Sequence, residues 1–367
     1  MQIQNLKLLN FRNYHSLELS FSNNLNIFYG NNGAGKTNIV EAIYFLALTR
    51  SFINNEDKTV ISYNEDVCRI EADVDQNKRN TYKIILKTNG GKVAKINNKI
   101  VSKLSNYISK IKLVLFRSDD LRLIKDSPSV RRKLLNIEIS QISINYLKNL
   151  AIYNKLLKQR NAYLKMMYVN ANESPEYLKT LNEKIVDVGL KVYNERKKQL
   201  AIINEKITKY FYKFTNIEGL SLIYSSDYNN LDKKQILLKM EKSLSKDLFV
   251  KKTTFGVHHD DIEFNLVGHN LKLFGSEGQQ KNAVIAYKFA IIESIIEQTN
   301  EYPIFILDDL FGELDKEKIQ NITNNLNSKV QTFITTTDID FINQENLIET
   351  KIFNIKDGKI EEKWYAR

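Results

Sequence analysis

Apolar and polar side chains alternate along residues 3–9 and 17–21, the period of a strand with one buried face. Asn-rich turns then lead into a mostly apolar run at 25–29. The start of the chain therefore predicts a small antiparallel ribbon feeding a buried strand. Helical spacing takes over from Lys36 to about Leu48. Alternation returns at 67–74, 81–87 and 92–101, with an Asn89-Gly90-Gly91 turn inside it, so a meander is expected there, and 111–116 reads as a further buried strand. From about 129 to 169 apolar residues fall at helical spacing (Tyr146, Leu150, Tyr153, Leu157, Leu164). After Pro175 a heptad-like run, Leu178, Leu181, Ile185, Val188 and Val192, shifts register into Leu200, Ile203, Ile207, Phe211 and Phe214. Two antiparallel helices joined by a short turn account for this pattern. At 1.5 Å per residue the second would be about 55 Å long, the length of a projecting arm. Residues 215–254 are poorly periodic and read as mixed structure closing the arm. Strand-like runs follow at 303–309 and 331–337, with a helix at about 316–327 between them, and the chain ends in a hairpin turning at Asp357-Gly358. Pro128 and Pro175 precede helical patterns, and Pro303 opens a strand.

Chemistry enters at the first strand-to-helix junction. Residues 30–38 read Gly30, Asn31, Asn32, Gly33, Ala34, Gly35, Lys36, Thr37, Asn38. A glycine-rich loop between a buried strand and a helix lets backbone N–H groups approach phosphate oxygens. Lys36 reaches the terminal phosphates, Thr37 offers a hydroxyl to Mg²⁺, and the helix N-terminus adds partial positive charge. ATP and Mg²⁺ are thus the expected cofactors. About 270 residues downstream the 303–309 run ends in two carboxylates, as expected of a buried parallel strand delivering acids to the phosphate edge of a sheet. Asp308 is the expected metal-shell carboxylate, and Asp309, with Lys36, carries the catalytic expectation: Asp309 takes the proton of the attacking water. Between the two motifs, Ser276 and Gly278 open an uninterrupted helical pattern, which taken alone is no more than an N-cap.

Composition narrows the picture. The single cysteine, Cys68, excludes a disulfide framework and a thiolate metal cluster, which suits a reducing cytoplasm. No signal-like N-terminus and no run of 18 apolar residues occurs, so neither export nor a membrane is expected. The net charge of +11, from 54 basic and 43 acidic residues, suggests a polyanionic partner. Lys, Asn and Ile are abundant throughout, however, so charge counts only where it clusters. Residues 110–133 hold such a cluster, including Lys110, Lys112, Arg117, Arg122, Arg131 and Arg132. For Arg131 and Arg132 a salt bridge at the arm base and a DNA phosphate contact stand as rivals. His258 and His259 beside Asp260 and Asp261 are not read as a metal site, because adjacent residues of a strand point apart. No aromatic series suggests base stacking.

A phosphate loop, a remote Ser-Gly helix start, an Asp-Asp strand end and then Gly-Glu-Leu-Asp at 312–315 follow the order of parts in ABC-type ATPases. Helices inserted between the first and the other motifs are what distinguish the SMC-like chromosome and repair proteins. The sequence resembles the RecF family of bacterial recombination-repair ATPases over nearly its whole length. The resemblance is carried by N-N-G-A-G-K-T-N-I-V-E-A-I, the 113–136 segment L-V-L-F-R-S-D-D-L-R-L-I-K-D-S-P-S-V-R-R-K-L-L-N, F-G-V-H-H-D-D, G-S-E-G-Q-Q and P-I-F-I-L-D-D-L-F-G-E-L-D. It implies an α/β ABC-type ATPase head, a mixed sheet with helices plus an antiparallel subdomain, carrying an inserted helical-hairpin arm. The expected division is head at 1–128, arm at 129–254, and head again at 255–367. It further implies that Ser276, Gly278 and Gln279 belong to a signature contacting ATP on a second subunit of an ATP-dependent homodimer. DNA, duplex or with single/double-strand junctions, is the implied ligand, with RecR and RecO as partners in loading RecA. Departures occur at Val257, His259, Asn136 and Gly312, where the family favours Pro, Arg, Asp and Ser. Asn136 thereby puts an ion pair with Arg131 or Arg132 in question. Thr337 and Asp338 occupy the region of the ABC switch residue.

Three other readings compete. A nucleotide kinase would need neither the Ser276 signature nor a long arm. An ABC transport subunit would lack so long an insertion. An anti-phage or nuclease ATPase of the same superfamily would need an added nuclease domain.

Overall fold

The computed structural model describes residues 1–170, 173–339, 349–356 and 359–365. Strands β1 (Gln2–Phe11) and β2 (Tyr14–Ser20) pair antiparallel, and β3 (Leu25–Tyr29) runs into helix α1 (Lys36–Leu48). Strands β4 (Val67–Asp75), β5 (Arg79–Lys87), β6 (Lys92–Ile96) and β7 (Lys99–Ile100) follow. The sequence divides these strands into a ribbon and a meander. The structure joins them, because β1 also pairs with β4, giving one six-stranded sheet in the order β2-β1-β4-β5-β6-β7. Its inner face carries Ile3, Leu6, Leu8, Ile70, Val74, Tyr82 and Ile84, all buried, at the expected period of two except where an irregularity between Ile3 and Asn5 shifts the register of β1. Charge pairs cross the outer face: Lys7 meets Glu18 at 2.7 Å and Lys83 meets Glu71 at 2.9 Å. A short helix α2 (Ser105–Ile108) then leads to β8 (Leu113–Arg117).

The stretch expected to form one helix from 129 to 169 forms two, α3 (Pro128–Ile142) and α4 (Ile144–Val169). The break falls at Ser143, whose hydroxyl accepts from the Tyr146 N–H at 3.2 Å and so starts a new helix. Helix α5 (Pro175–Thr215) is 41 residues long, about 60 Å at the standard rise, and packs along α4. Both prolines sit at the first helical position, where a missing N–H costs nothing. The anticipated α5 stripe is buried throughout except Val188, which is half-buried while Val186 takes its place in the core. Gly189 interrupts this stripe because a Cβ there would lie 2.9 Å from the Tyr228 ring and 3.2 Å from the Tyr153 ring. The segment left as mixed structure contains β9 (Leu220–Ser225) and helices α6 (Lys233–Lys242) and α7 (Leu244–Val250). Strand β10 (Asp261–Leu266) pairs with β9 and with β11 (His269–Asn270), followed by helices α8 (Leu271–Phe274) and α9 (Glu277–Thr299).

The last part supplies β12 (Ile304–Asp308), helix α10 (Lys316–Asn324), β13 (Thr332–Thr336), β14 (Thr350–Lys356) and β15 (Lys359–Tyr365). The β14–β15 hairpin forms as expected, while its Asp357-Gly358 turn lies outside the described residues. The second six-stranded sheet has the order β15-β14-β3-β13-β12-β8, parallel except for β15. The chain forms two compact units: Met1–Leu121 with Val284–Arg367, and Arg122–Ala283. In the first, the buried Gln331 side chain accepts from the Ile3 N–H at 2.7 Å and donates to the Ile3 and Ser22 carbonyls, tying the two sheets. The two compact units divide between Ala283 and Val284, inside α9, and the expected head part at 255–367 spans that division. Within the second unit Asp261–Leu266 of β10 pairs with β9, a long-range contact that periodicity does not carry.

Candidate functional site

The parallel register decides what meets at the C-terminal edge of the core sheet. Strand β13 lies between β3 and β12, with Thr336 opposite Tyr29 and Thr335 opposite Asp308, and Arg117 of β8 lies opposite Asp308 on its other side. Residues 30–35 turn from β3 into α1, and their backbone explains the glycines. Gly30 has φ +149° and a Cβ there would sit 2.2 Å from the Ile355 carbonyl oxygen; Gly35 has φ +108° and a Cβ would sit 2.6 Å from the Tyr14 hydroxyl. A cleft of about 460 Å³, lined by Asn31 to Ala34 with Asn13, Ile355 and Lys356, opens beside the loop.

Lys36 is buried, and its Nζ donates to the carbonyls of Gly30 at 2.6 Å and Asn31 at 2.9 Å. Burial lowers its pKa, and the carboxylates of Asp309 and Asp308 oppose that shift. Thr37 Oγ1 donates to Asp308 Oδ1 at 3.1 Å, and Thr335 Oγ1 donates to the same oxygen at 2.8 Å. The Asp308 carboxyl is raised above the usual carboxylate range by burial; the Thr335 and Thr37 hydroxyls and Arg117 pull it back, while Asp309 adds to the rise. Asp309 is exposed, has φ +50°, and its N–H donates to Thr335 Oγ1 at 2.9 Å. The left-handed backbone turns its side chain off the strand direction, a conformation Asp tolerates better than most residues. A hydroxyl and a carboxylate oxygen within 3.1 Å form the hard-oxygen donor set that Mg²⁺ takes, so Thr37 and Asp308 fit the metal. Asn38 donates to the Asn13 side chain at 2.7 Å.

Two contributors escape sequence reasoning. Thr335 is 1 % exposed and links the Asp308 carboxylate to the Asp309 backbone N–H, yet it reads in the sequence as an ordinary strand residue. The other is an anchor under α1: Arg12 meets Glu41 with 2.8 and 2.6 Å bonds, and Glu41 is fully buried. An acid on the inward face of an otherwise apolar helix was the available signal. Thr336 Oγ1 donates to the Asp338 carbonyl at 2.7 Å, so the Thr337 and Asp338 region leaves β13 at the same edge.

The remaining candidates belong to the second unit. Ser276 Oγ accepts from the Gln279 N–H at 3.2 Å and Gln279 Oε1 accepts from the Ser276 N–H at 2.9 Å, a capping box at the start of α9, with Gly278 between them. Ser276 is exposed, as are Leu273 and Phe274, each 73 %. Arg131 is buried and grips Asp261 through two 2.8 Å bonds, which favours the arm-base salt bridge over a phosphate contact. Asn136 takes no part in that pair. It accepts instead from Arg196 and from the Tyr146 hydroxyl, within a buried network in which Arg196 meets Asp260 at 2.5 Å. His258 and His259 lie on a 3₁₀ turn, not a strand, so their rings do not point apart: they are 4.2 Å apart and both face the Thr253 carbonyl. The basic cluster at 110–133 is likewise not a continuous surface. Lys112 and Arg131 are buried, leaving Lys110, Arg122, Lys125 and Lys133 among the exposed ones.

The family model of the RecF/RecN/SMC N-terminal domain matches residues 2–360. The DNA replication and repair protein RecF of Streptococcus agalactiae serotype Ia is 40% identical over 365 residues, 98% of each chain. The chain belongs to the RecF family. RecF of Streptococcus pneumoniae strain P1031 is also 40% identical, over 368 residues and 98% of each chain. Among solved structures, the recombination mediator RecF of the RecFOR pathway with ATPγS superimposes with a TM-score of 0.91 at 28% identity, covering 98% of this chain and 97% of that one. An Smc head domain from Pyrococcus furiosus shares the fold, with a TM-score of 0.55 at 17% identity over 100% of this chain and 96% of that one. The RecF fold here is thus an ABC-type ATPase head with a helical arm. Among the described residues no helix is long and apolar enough to cross a membrane.

Proposed function

We propose that the chain is an ATP-driven, DNA-binding dimer of recombinational repair and replication-gap processing that hydrolyses ATP slowly as a switch. The observation that carries the reading is the convergence, on one sheet edge, of the Lys36 loop with the Thr37–Asp308–Thr335 hydroxyl and carboxylate cluster and the exposed Asp309. In this reading residues 30–38 wrap the phosphates, and the Lys36 ammonium exchanges its two loop carbonyls for phosphate oxygens. Thr37 and Asp308 hold Mg²⁺, which when bound neutralises charge developing on the terminal phosphate. Asp309 accepts the proton of the attacking water, and its exposure leaves its carboxylate accessible for that role. Thr335 holds the Asp308 carboxylate against the backbone that carries Asp309.

Ser276, Gly278 and Gln279 present the N-terminus of a 23-residue helix to the ATP of a second subunit. The exposed Leu273 and Phe274 beside them favour a surface that a second copy covers. Duplex DNA and single/double-strand junctions are bound through backbone phosphates, in keeping with a net charge of +11. The relatives' place in the RecFOR pathway supports cooperation with RecR and RecO in loading RecA. Light scattering tests the class: ATP should double the mass, and ATP with DNA should give a dimer–DNA complex. A monomer under both conditions would overturn the shared-site reading.

A further inference from the structure

The two oxygens of Asp308 face different neighbours. Oδ1 accepts from Thr37 and Thr335, the side where the metal donors gather. Oδ2 faces Arg117, whose Nε lies 3.9 Å away, too far for a hydrogen bond but within ion-pair range. That Nε is buried and makes no hydrogen bond. The guanidinium instead meets Asp119 at 2.8 Å and lies 5.0 Å over the Phe52 ring. Asp308 is 5 % exposed and Asp119 is 68 % exposed, so one cation is shared between a buried carboxylate and a solvated one. Lys288, fully buried, is taken up by Asp120 at 2.9 Å and by the Leu115 carbonyl at 2.7 Å, so it does not replace Arg117 beside Asp308.

We propose that Arg117 is a positioning residue that sets the Mg²⁺ affinity of the nucleotide site by competing with the metal for the charge of Asp308, and that Asp119 limits this competition by holding the guanidinium back. A cation at Oδ2 draws on the same negative charge that Oδ1 presents to a metal. In this low-dielectric setting the two positive charges oppose each other. Each unit of guanidinium charge drawn toward Asp119 therefore favours metal binding. The inference rests on the reading that Thr37 and Asp308 hold Mg²⁺.

The test is the free Mg²⁺ concentration giving half-maximal binding of a fluorescent ATP analogue, read by anisotropy under conditions without turnover. Arg117→Met keeps an apolar side chain over Phe52 and removes the charge, so half-saturation should fall by about threefold or more, less than the roughly 10–100-fold that groups bonded directly to a metal ligand control, because Arg117 lies beyond hydrogen-bond distance of Asp308. Asp119→Asn, on an exposed side chain where misfolding is not expected, frees Arg117 to settle on Asp308 and should raise half-saturation by about twofold or more. Arg117→Lys keeps the charge and should stay nearer the wild-type value than Arg117→Met. A purely structural role would move the first two variants in the same direction, so shifts of one sign, or none in either, overturn the proposal. If the wild-type protein itself binds the analogue without any Mg²⁺ dependence, the Thr37–Asp308 metal reading fails and takes the inference with it.

Discussion

Thr335→Val is the most informative single substitution, because it changes almost no volume and removes one hydroxyl that serves both the Asp308 carboxylate and the Asp309 backbone N–H. Its Oγ1 donates to Asp308 at 2.8 Å and accepts the Asp309 N–H at 2.9 Å, at a site 1 % exposed. A hydrogen bond to a charged group contributes about 1.5–3 kcal/mol, and an N–H left without an acceptor costs about 1–3 kcal/mol. The two losses share one atom and do not simply add. Against a small gain from burying the extra methyl, the expected cost is about 2–3 kcal/mol. For a unit of this size that corresponds to a fall in melting temperature of about 5–10 °C. Turnover should fall by about tenfold or more, since the Asp308 carboxylate and the backbone that carries Asp309 both lose a fixed partner. Thr332→Val is the control: Thr332 is equally buried on the same strand, but its hydroxyl reaches only the Val330 carbonyl at 3.1 Å. Calorimetry and a phosphate-release assay on both variants decide the matter. A Thr335→Val protein that melts within a degree of the control and hydrolyses ATP at the wild-type rate would refute the bridging role.

Lys36→Ala should weaken ATP binding by about tenfold to a hundredfold, the worth of a charge-assisted bond to phosphate, as read by filter binding. Asp309→Asn should bind ATP normally and stop turnover, because an amide cannot take the proton; single-turnover kinetics near the wild-type rate would exclude Asp309 as the base. Ser276→Arg should bind ATP as a monomer while losing ATP-driven dimerisation and hydrolysis, and mixing it with Lys36→Ala protein should restore part of the turnover, because one composite site then keeps both normal residues. In the second unit, burial pushes His258 down to about 4 from its usual 6.5, with its hydrogen bond to the Thr253 carbonyl opposing that shift. The unfolded chain therefore takes up the proton first: the stability held above pH 6.5 should decline as pH falls toward about 4, and His258→Gln should flatten that decline in acid-denaturation curves.

The local elements were legible because their causes are local. The buried run 25–29, the glycines at 30, 33 and 35, and the prolines at 128 and 175 act through steric limits and hydrogen bonding a few residues away, and β3, the loop, α1 and the helix starts stand where those limits require. Periodicity likewise marked which faces of β4, β5 and α5 are buried. Pairing was not legible, because strands β1 and β4, or β9 and β10, select each other through contacts far apart in sequence that leave no trace in either pattern. That is why the antiparallel sheet appeared as two pieces and why the partner of β10 was not anticipated. The carboxylates of Asp308 and Asp309 could be named from the sequence, since charge at the end of an apolar strand is exceptional. What surrounds them could not. Thr335, Arg117 and the Arg12–Glu41 anchor reach their places only through parallel register and tertiary packing, and the environment they create fixes how Asp308 and Asp309 are held.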